Sequence, residues 1–357
     1  MHSNLYNLSK DLLIRFADSL FSLCNNPSNL SSPPIFFAKN GPYNEPETEL
    51  RSLSHYSILF YTAYIICDQP KYKLLANSLL ERLCIKLSLD PSRVQRSPFD
   101  PRRDQVNGVI GDAWILEALC FHYKYQRSNH ARVAIVDILS SYETSESKYY
   151  KRIGSSIIDK TFNHQLWFHS FLRQIYTLIP EFSNTYVNLL SDSNFIQPSF
   201  YLNSTIKHNH YSYPSSSSLY RLLKHQCKAF ALFPKSIAYM PFNLLGFCHL
   251  FPSLSANSRS ILDSSLSNLS LSNPLKQHFL LSHKCGMTYN PVGFELLVYC
   301  HTFNINPLEF NLLISHNISL FDKLIDDPGF PFTSSYNSHF DVLRLVSRIY
   351  ELYLIFV

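Results

Sequence analysis

Apolar residues recur along this chain at spacings of three and four, the interval that lines one face of an α-helix. Leu5, Leu8, Leu12, Leu13, Phe16, Leu20 and Leu23 form the first such series. The same rhythm predicts helices over 56–67, 72–87, 110–125, 133–139, 165–179, 219–232, 237–251, 261–271, 293–303, 307–318 and 340–356. No set of alternating stretches supports a sheet, and a piece such as 155–158 amounts at most to a small hairpin. The joints at 26–34, 90–103, 142–147, 191–198 and 213–218 are polar and rich in Ser and Pro. None is long or distinct enough to read as a domain linker. The expectation is one all-α domain spanning residues 1–357.

A weak repeat lies under this pattern. Six helix starts place an Asn or His before an aromatic-rich apolar run: His55, Asn107, Asn163, Asn243, Asn290 and Asn337. Four of the five intervals between them are close to 50 residues, room for two helices and two loops. Helical repeats of that size stack into solenoids when open. Six hairpins can also close into an (α/α)6 toroid, with the six marked helices as its inner ring and their N-termini at one mouth. Asn is a good N-cap because its side-chain oxygen accepts from free helical N–H groups, so capping alone also explains these residues.

Composition narrows the function classes. Charged residues are 16% of the 357, hydrophobic residues 46% and aromatics 15%. That is too apolar for a disordered chain. No apolar run reaches the roughly 18 residues that span a bilayer, so no membrane insertion is expected. The net charge of +5 is mild and no dense basic stripe accompanies it, which leaves a slight preference for an anionic ligand and no case for nucleic acid. Eight cysteines without a CxxC pair read as buried thiols. Met1–Tyr6 carries no basic segment leading into an apolar one, so a cytoplasmic location is expected.

Three segments carry candidate chemistry. In 104–117, Gly108 and Gly111 permit close backbone approach, Asp112 sits in a first helical turn where the dipole favours its anion, and Trp114 offers a flat face to a sugar ring. In 159–167, Asp159 is followed by Asn163, His164 and Gln165 at a helix start, donors and acceptors suited to several hydroxyls, ahead of Trp167. The imidazole of His164 is also a proton carrier near neutral pH. In 289–295, Tyr289, Asn290 and Glu295 surround a Pro at the helix start; Glu295 reads as a cap or as a carboxyl that holds a hydroxyl. The segment 207–211 reads as a polar lip, and Asp341 with Arg344 as an intrahelical ion pair.

Metal is the rival. Cys248-His249 and Cys300-His301 invite a zinc reading, but adjacent helical residues point about 100° apart, so one pair does not readily give two ligands to one ion. No cofactor or metal is expected. The sequence has no G-x-S-x-G, P-loop, H-E-x-x-H or G-x-G-x-x-G.

The segments Asn107–Trp114, Phe162–Trp167 and Tyr289–Glu295 resemble motifs of (α/α)6-toroid proteins encoded with bacterial surface-polysaccharide genes. More distantly they are similar to unsaturated glucuronyl and rhamnogalacturonyl hydrolases. The likeness covers roughly residues 50–350 in architecture and three short motifs in text. It implies an enzyme acting on an acidic oligo- or polysaccharide, in which an Asp protonates the double bond of an unsaturated uronic acid and water adds at the neighbouring carbon. Asp112 is then the acid–base candidate and Trp114 and Trp167 are platforms. Asn107, Asn163, His164, Gln165, Tyr289, Asn290 and Glu295 are binding candidates, and His164 a further catalytic one. A second carboxylate is either Asp104 or Asp159. The alternatives are a non-catalytic sugar-binding scaffold in surface-polysaccharide assembly and a lanthionine-cyclase-like zinc protein. The zinc signature of that last family is absent, since Leu250 follows His249 and Thr302 follows His301.

Overall fold

Whether a helix is buried on one face or all round decides its place here. In the computed structural model, which describes residues 2–24, 39–40, 45–96, 105–145, 149–184, 201–202, 205–206, 233–267, 274–287, 289–326 and 341–355, the helices sort into two groups on that basis. The order is α1 (His2–Cys24), α2 (Glu49–Cys67), α3 (Pro70–Leu89), α4 (Gly108–Gln126), α5 (Asn129–Leu139), α6 (Phe162–Leu178), α7 (Phe233–Ala238), α8 (Met240–Leu250), α9 (Ala256–Ser267), α10 (Pro274–Ser282), α11 (Val292–Thr302), α12 (Asn311–Ile325) and α13 (Val342–Leu354). The expected helix at 219–232 lies outside the described residues. The apolar pattern does not predict α10.

Helices α2, α4, α8 and α11 are apolar around most of their circumference, and long stretches of each are buried on every side. Such helices belong in an interior. They form a closed cycle of neighbours with α6 and α13: α2 packs on α4, α4 on α6, α6 on α8, α8 on α11, α11 on α13, and α13 back on α2. These are the six helices that the repeat marks. The second group lies outside it, α3 against α2, α5 against α4, α12 against α11 and α1 against α13. These carry one buried stripe each. In α12 it is Leu313, Ile314, Asn317, Phe321 and Leu324.

Polar side chains tie the groups together. Glu49, in the first turn of α2, accepts from Arg82 of α3 at 2.8 Å and also pairs with Lys86. Arg15 of α1 donates to Asp322 of α12 at 2.8 Å. The strands form three small antiparallel hairpins: Lys39–Asn40 with Glu45–Pro46, Tyr142–Thr144 with Tyr150–Arg152, and Tyr201–Leu202 with Thr205–Ile206. The piece 155–158 follows the second of these and is not a hairpin of its own.

The side chains of Asn107, Asn163 and Asn290 do not cap their helices. Asn107 has φ 61° and makes no side-chain cap bond; Asn163 lies inside α6, after Thr161. Asn290 precedes Pro291, the residue flanking α11.

Candidate functional site

Helix α13 is buried on all sides, yet Arg344, Ser347, Arg348 and Glu351 recur on one of its faces. A polar stripe on a buried helix needs polar company, and here it faces the axis of the helix cycle. The contacts cross that axis. Arg348 reaches over Trp167 of α6, 5.1 Å from the ring centre, although α6 is not a neighbour of α13 in the cycle. Its Nε donates to Glu295 of α11 at 3.0 Å, and its Nη1 pairs with Glu351. Tyr350 donates to Glu117 of α4 at 2.8 Å and meets His55 Nδ1 of α2 at 2.9 Å.

At the N-terminal end of the cycle two further arginines are buried. Arg51 donates to Glu47 at 3.0 Å and to Asp341 at 2.8 Å, and its guanidinium lies 4.4 Å from the centre of the Trp114 ring. Arg344 is placed differently. It sits between two aromatic faces, 4.3 Å from Phe242 and 4.2 Å from Tyr289, and Nη1 donates to the neutral Asn290 at 2.7 Å. Asp341 Oδ2 is 4.0 Å from its Nε and is already held by Arg51. The expected intrahelical ion pair of Asp341 and Arg344 is therefore a long contact. Asp341 instead caps α13, accepting from the Arg344 N–H at 3.2 Å.

The electrostatics follow from burial and these partners. Burial pushes Glu47 and Glu295 above the usual carboxylate range, against the pull of Arg51 and Arg348. Burial also drives His55 well below its ordinary value, helped by Arg51, Arg348 and Arg344, so it stays neutral. Glu117 is raised well above the normal range by burial and by Glu351. For Glu351, burial acts upward, but Arg348 and His249 outweigh it and hold the carboxyl down. Two adjacent carboxyls thus take opposite protonation states.

Every helix of the cycle contributes a buried polar atom with no hydrogen-bond partner among the described residues. They are Arg51 Nε and His55 Nε2 on α2, Glu117 Oε2 on α4, Asn163 Oδ1 on α6, both amide atoms of Asn243 on α8, Glu295 Oε2 on α11 and Arg344 Nε on α13. Buried polar groups are satisfied in all but a few cases. Such a group from each of six helices marks a polar interior.

The residues singled out in the sequence fall into three groups. Asp159 and His164 come together: His164 Nδ1 and Asp159 Oδ2 are 2.7 Å apart, and the same oxygen accepts from the Val109 N–H at 3.1 Å, at the start of α4. Burial alone raises Asp159, but His164 and the Thr161 N–H bring it below its ordinary value. Gly108 makes this approach possible. Its φ is 64°, and a Cβ there would lie 2.0 Å from Asp159 Oδ2. Gln165 locks the same region, accepting from the Tyr150 N–H at 2.8 Å and donating to the Asp159 carbonyl at 2.8 Å. Asn107 accepts from Arg96.

A second group lies on the axis. Trp114 carries Arg51 on one face; Trp167 is fully buried, stacked on Phe242 at 4.7 Å. Tyr289 and Asn290 hold Arg344, Asn163 contributes its unpartnered oxygen, and Glu295 pairs with Arg348 rather than capping α11. Asp112 stands apart, fully buried outside the first turn of α4. It accepts from Arg93 Nε at 2.9 Å and from the Tyr142 hydroxyl at 2.7 Å. Asp104, the lip at 207–211 and Asn337 lie outside the described residues.

Sequence reasoning missed Arg51, Arg348, Glu351 and the role of Glu117. The signal was the text of α13, where polar residues at 344, 347, 348 and 351 share one face of an otherwise apolar helix. That pattern reads as a solvent-facing stripe until the helix is known to be interior. Among the described residues no group of three or more His, Cys, Asp or Glu has the arrangement of a metal site, and no helix is long and apolar enough to cross a membrane.

The chain is 26% identical over 352 residues to archaeal glycosylation protein Q of Haloferax volcanii, an alignment covering 89% of this chain and 93% of that protein. No protein-family model matches the chain, and no solved structure does.

Proposed function

We propose that this chain is an (α/α)6 toroid that binds and processes an acidic saccharide at the N-terminal end of its inner helices. The closed cycle of six helices with partners outside it supports the toroid. The likeness to a protein named for archaeal glycosylation supports a glycan as the ligand. Arg344 is the observation that carries the anionic part. A guanidinium 4% exposed, held between two aromatic rings and hydrogen-bonded to a neutral amide, lacks a carboxylate of its own. The carboxylate of a uronic acid is the partner that geometry suits, because a planar fork binds a planar anion in a bidentate way. The helix N-termini around it add positive potential.

In this reading Asp159 fixes the orientation of His164, leaving Nε2 of a 23% exposed imidazole to move a proton. The unpartnered Asn163 and Asn243 amides take sugar hydroxyls. The finer assignment, hydration of an unsaturated uronide, rests on the resemblance of the three motifs. The test is equilibrium binding and turnover with uronic-acid oligosaccharides, saturated and unsaturated, beside neutral ones of equal length. The expected result is a preference for the acidic ligands that Arg344→Met reduces by about 10-fold or more, the size of one lost charge-assisted contact. Equal binding of neutral and acidic ligands would sink the proposal. Binding without turnover would leave the alternative, a non-catalytic sugar-binding protein; the complete pairing of Asp112 with Arg93 and Tyr142 is what favours that second reading.

A further inference from the structure

A second group of donors stands beside Arg344. Helix α7, just ahead of α8, carries Lys235, and α10, which packs on α7, runs directly into His283 and Lys284. A hydrogen-bonded path joins this corner to Arg344. Arg344 donates to the Asn290 side chain at 2.7 Å, the Asn290 amide donates to the Cys285 carbonyl at 2.6 Å, and the Cys285 N–H donates to His283 Nδ1 at 3.1 Å. A second path is aromatic. Arg344 lies 4.2 Å from the centre of the Tyr289 ring, that ring is 6.3 Å from the ring of Tyr239, and Lys235 Nζ is 5.8 Å from the latter. We propose that Lys235 and His283 form a phosphate subsite, so that the saccharide held at Arg344 is one that also carries a phosphate ester. The joining of phosphate to uronate rests on the reading of Arg344 given above.

The corner is reachable and positive. Lys235 and His283 are both part-exposed, and neither Lys235 Nζ nor His283 Nε2 donates to another described residue. Because Nδ1 of His283 accepts from a backbone N–H, the neutral ring carries its proton on Nε2 and offers it as a donor. The turn that holds the ring is close-packed. The Gly286 N–H donates to the His283 carbonyl at 2.7 Å, and a Cβ on Gly286 would fall 2.2 Å from the Leu280 carbonyl oxygen.

The charges that bear on this corner share one sign. Burial first, then Lys235 and Lys284, hold His283 below its ordinary value. Burial pushes the Cys285 thiol up, against the pull of Lys235, Lys284 and Arg344, so all three cations act on one neighbourhood. A mouth lined by one sign of charge concentrates counter-ions. An ammonium and an imidazole N–H are single-point donors, and here they come from separate elements. That arrangement suits a tetrahedral oxyanion with acceptors in several directions, whereas the flat guanidinium fork of Arg344 suits a planar carboxylate.

Isothermal titration of the full chain with glucuronic acid, glucuronic acid 1-phosphate, glucose and glucose 1-phosphate, at one ionic strength, tests this. The quantity read is the gain in affinity that the phosphate gives to each sugar. A gain of about 10-fold is expected in the wild type. It should vanish in Lys235→Gln and in His283→Asn, whose side-chain oxygen still accepts from the Cys285 N–H. Each variant is compared with itself, so a general loss of affinity does not imitate the effect. Arg344→Met should keep the phosphate gain and lose the preference for glucuronic acid over glucose. If glucose gains from phosphate and glucuronic acid is not preferred to glucose, the subsite stands and the uronate reading falls. A gain below about 3-fold, or one that either variant keeps, overturns the subsite, and glucuronic acid that still outbinds glucose then leaves the reading of Arg344 standing. Failure of both sugar phosphates to bind below about 10 mM overturns the subsite as well.

Discussion

The two ends of the helix cycle manage buried charge in opposite ways. At the N-terminal end, charges are offset by pairing: Arg51 bridges Glu47 and Asp341, and Arg348 below it holds Glu295 and Glu351. At the C-terminal end, Glu117 escapes the cost of burial by keeping a proton beside Glu351. The backbone contributes to both solutions, since helix N-termini favour anions and C-termini disfavour them. A polar interior can therefore be read from its imbalance. Arg344 is the group there whose charge lacks a carboxylate within hydrogen-bond distance, and it is the group assigned to a ligand.

Removing a pairing charge is the most severe challenge to this contrast. Arg51→Met leaves Glu47 and Asp341 buried without their cation, and a broken buried pair costs about 3–5 kcal/mol. Chemical denaturation should show that loss in full. A change below about 1 kcal/mol would mean that water reaches this end freely and that the ion pairs are weak. Gly108→Ala comes next. An L-residue held at positive φ costs about 1–2 kcal/mol, and the new methyl would push Asp159 away from the α4 N-terminus. Loss of stability together with loss of saccharide binding is expected, whereas unaltered binding would detach Asp159 and His164 from the site. His164→Ala should be smaller in stability, about 1 kcal/mol, but should abolish turnover of any processed saccharide. Retained turnover removes the imidazole from the chemistry.

Much of the scaffold was legible in the sequence because the packing of an inner helix leaves a local mark. A buried helix with a polar residue near its start recurs at intervals of which four in five are close to 50 residues, and the marked helices are those of the cycle. The axis was not legible because its partners lie far apart in the chain. Nothing near Glu117 announces Tyr350, 233 residues away, and nothing near Arg51 announces Asp341, 290 away. The Asn residues misled for a related reason. A side chain that is a good cap in isolation is spent elsewhere when an arginine from another helix reaches it, as Arg344 reaches Asn290. Asp159 and His164 meet only five residues apart, and both stand in one candidate segment of the sequence.

The mildest of the expected effects belongs to the other end, and its sign is the informative part. Glu117 has a folded-state pKa raised above its unfolded value, by burial first and by Glu351 second. Between the unfolded value of about 4.3 and the raised folded one, the native state binds more protons than the unfolded state. Stability therefore falls as pH rises through that window, the reverse of what Asp159 contributes: its depressed pKa gives stability that is present above the unfolded value and lost as pH falls through the folded one. Glu117→Gln keeps the shape and the acceptor for Tyr350 while removing the titration. It should match the wild type near pH 4 and exceed it near pH 8. Denaturation curves at the two pH values measure this directly. If the variant is equally destabilised at both, Glu117 is ionised in the folded protein, and the two ends of the cycle handle charge in the same way.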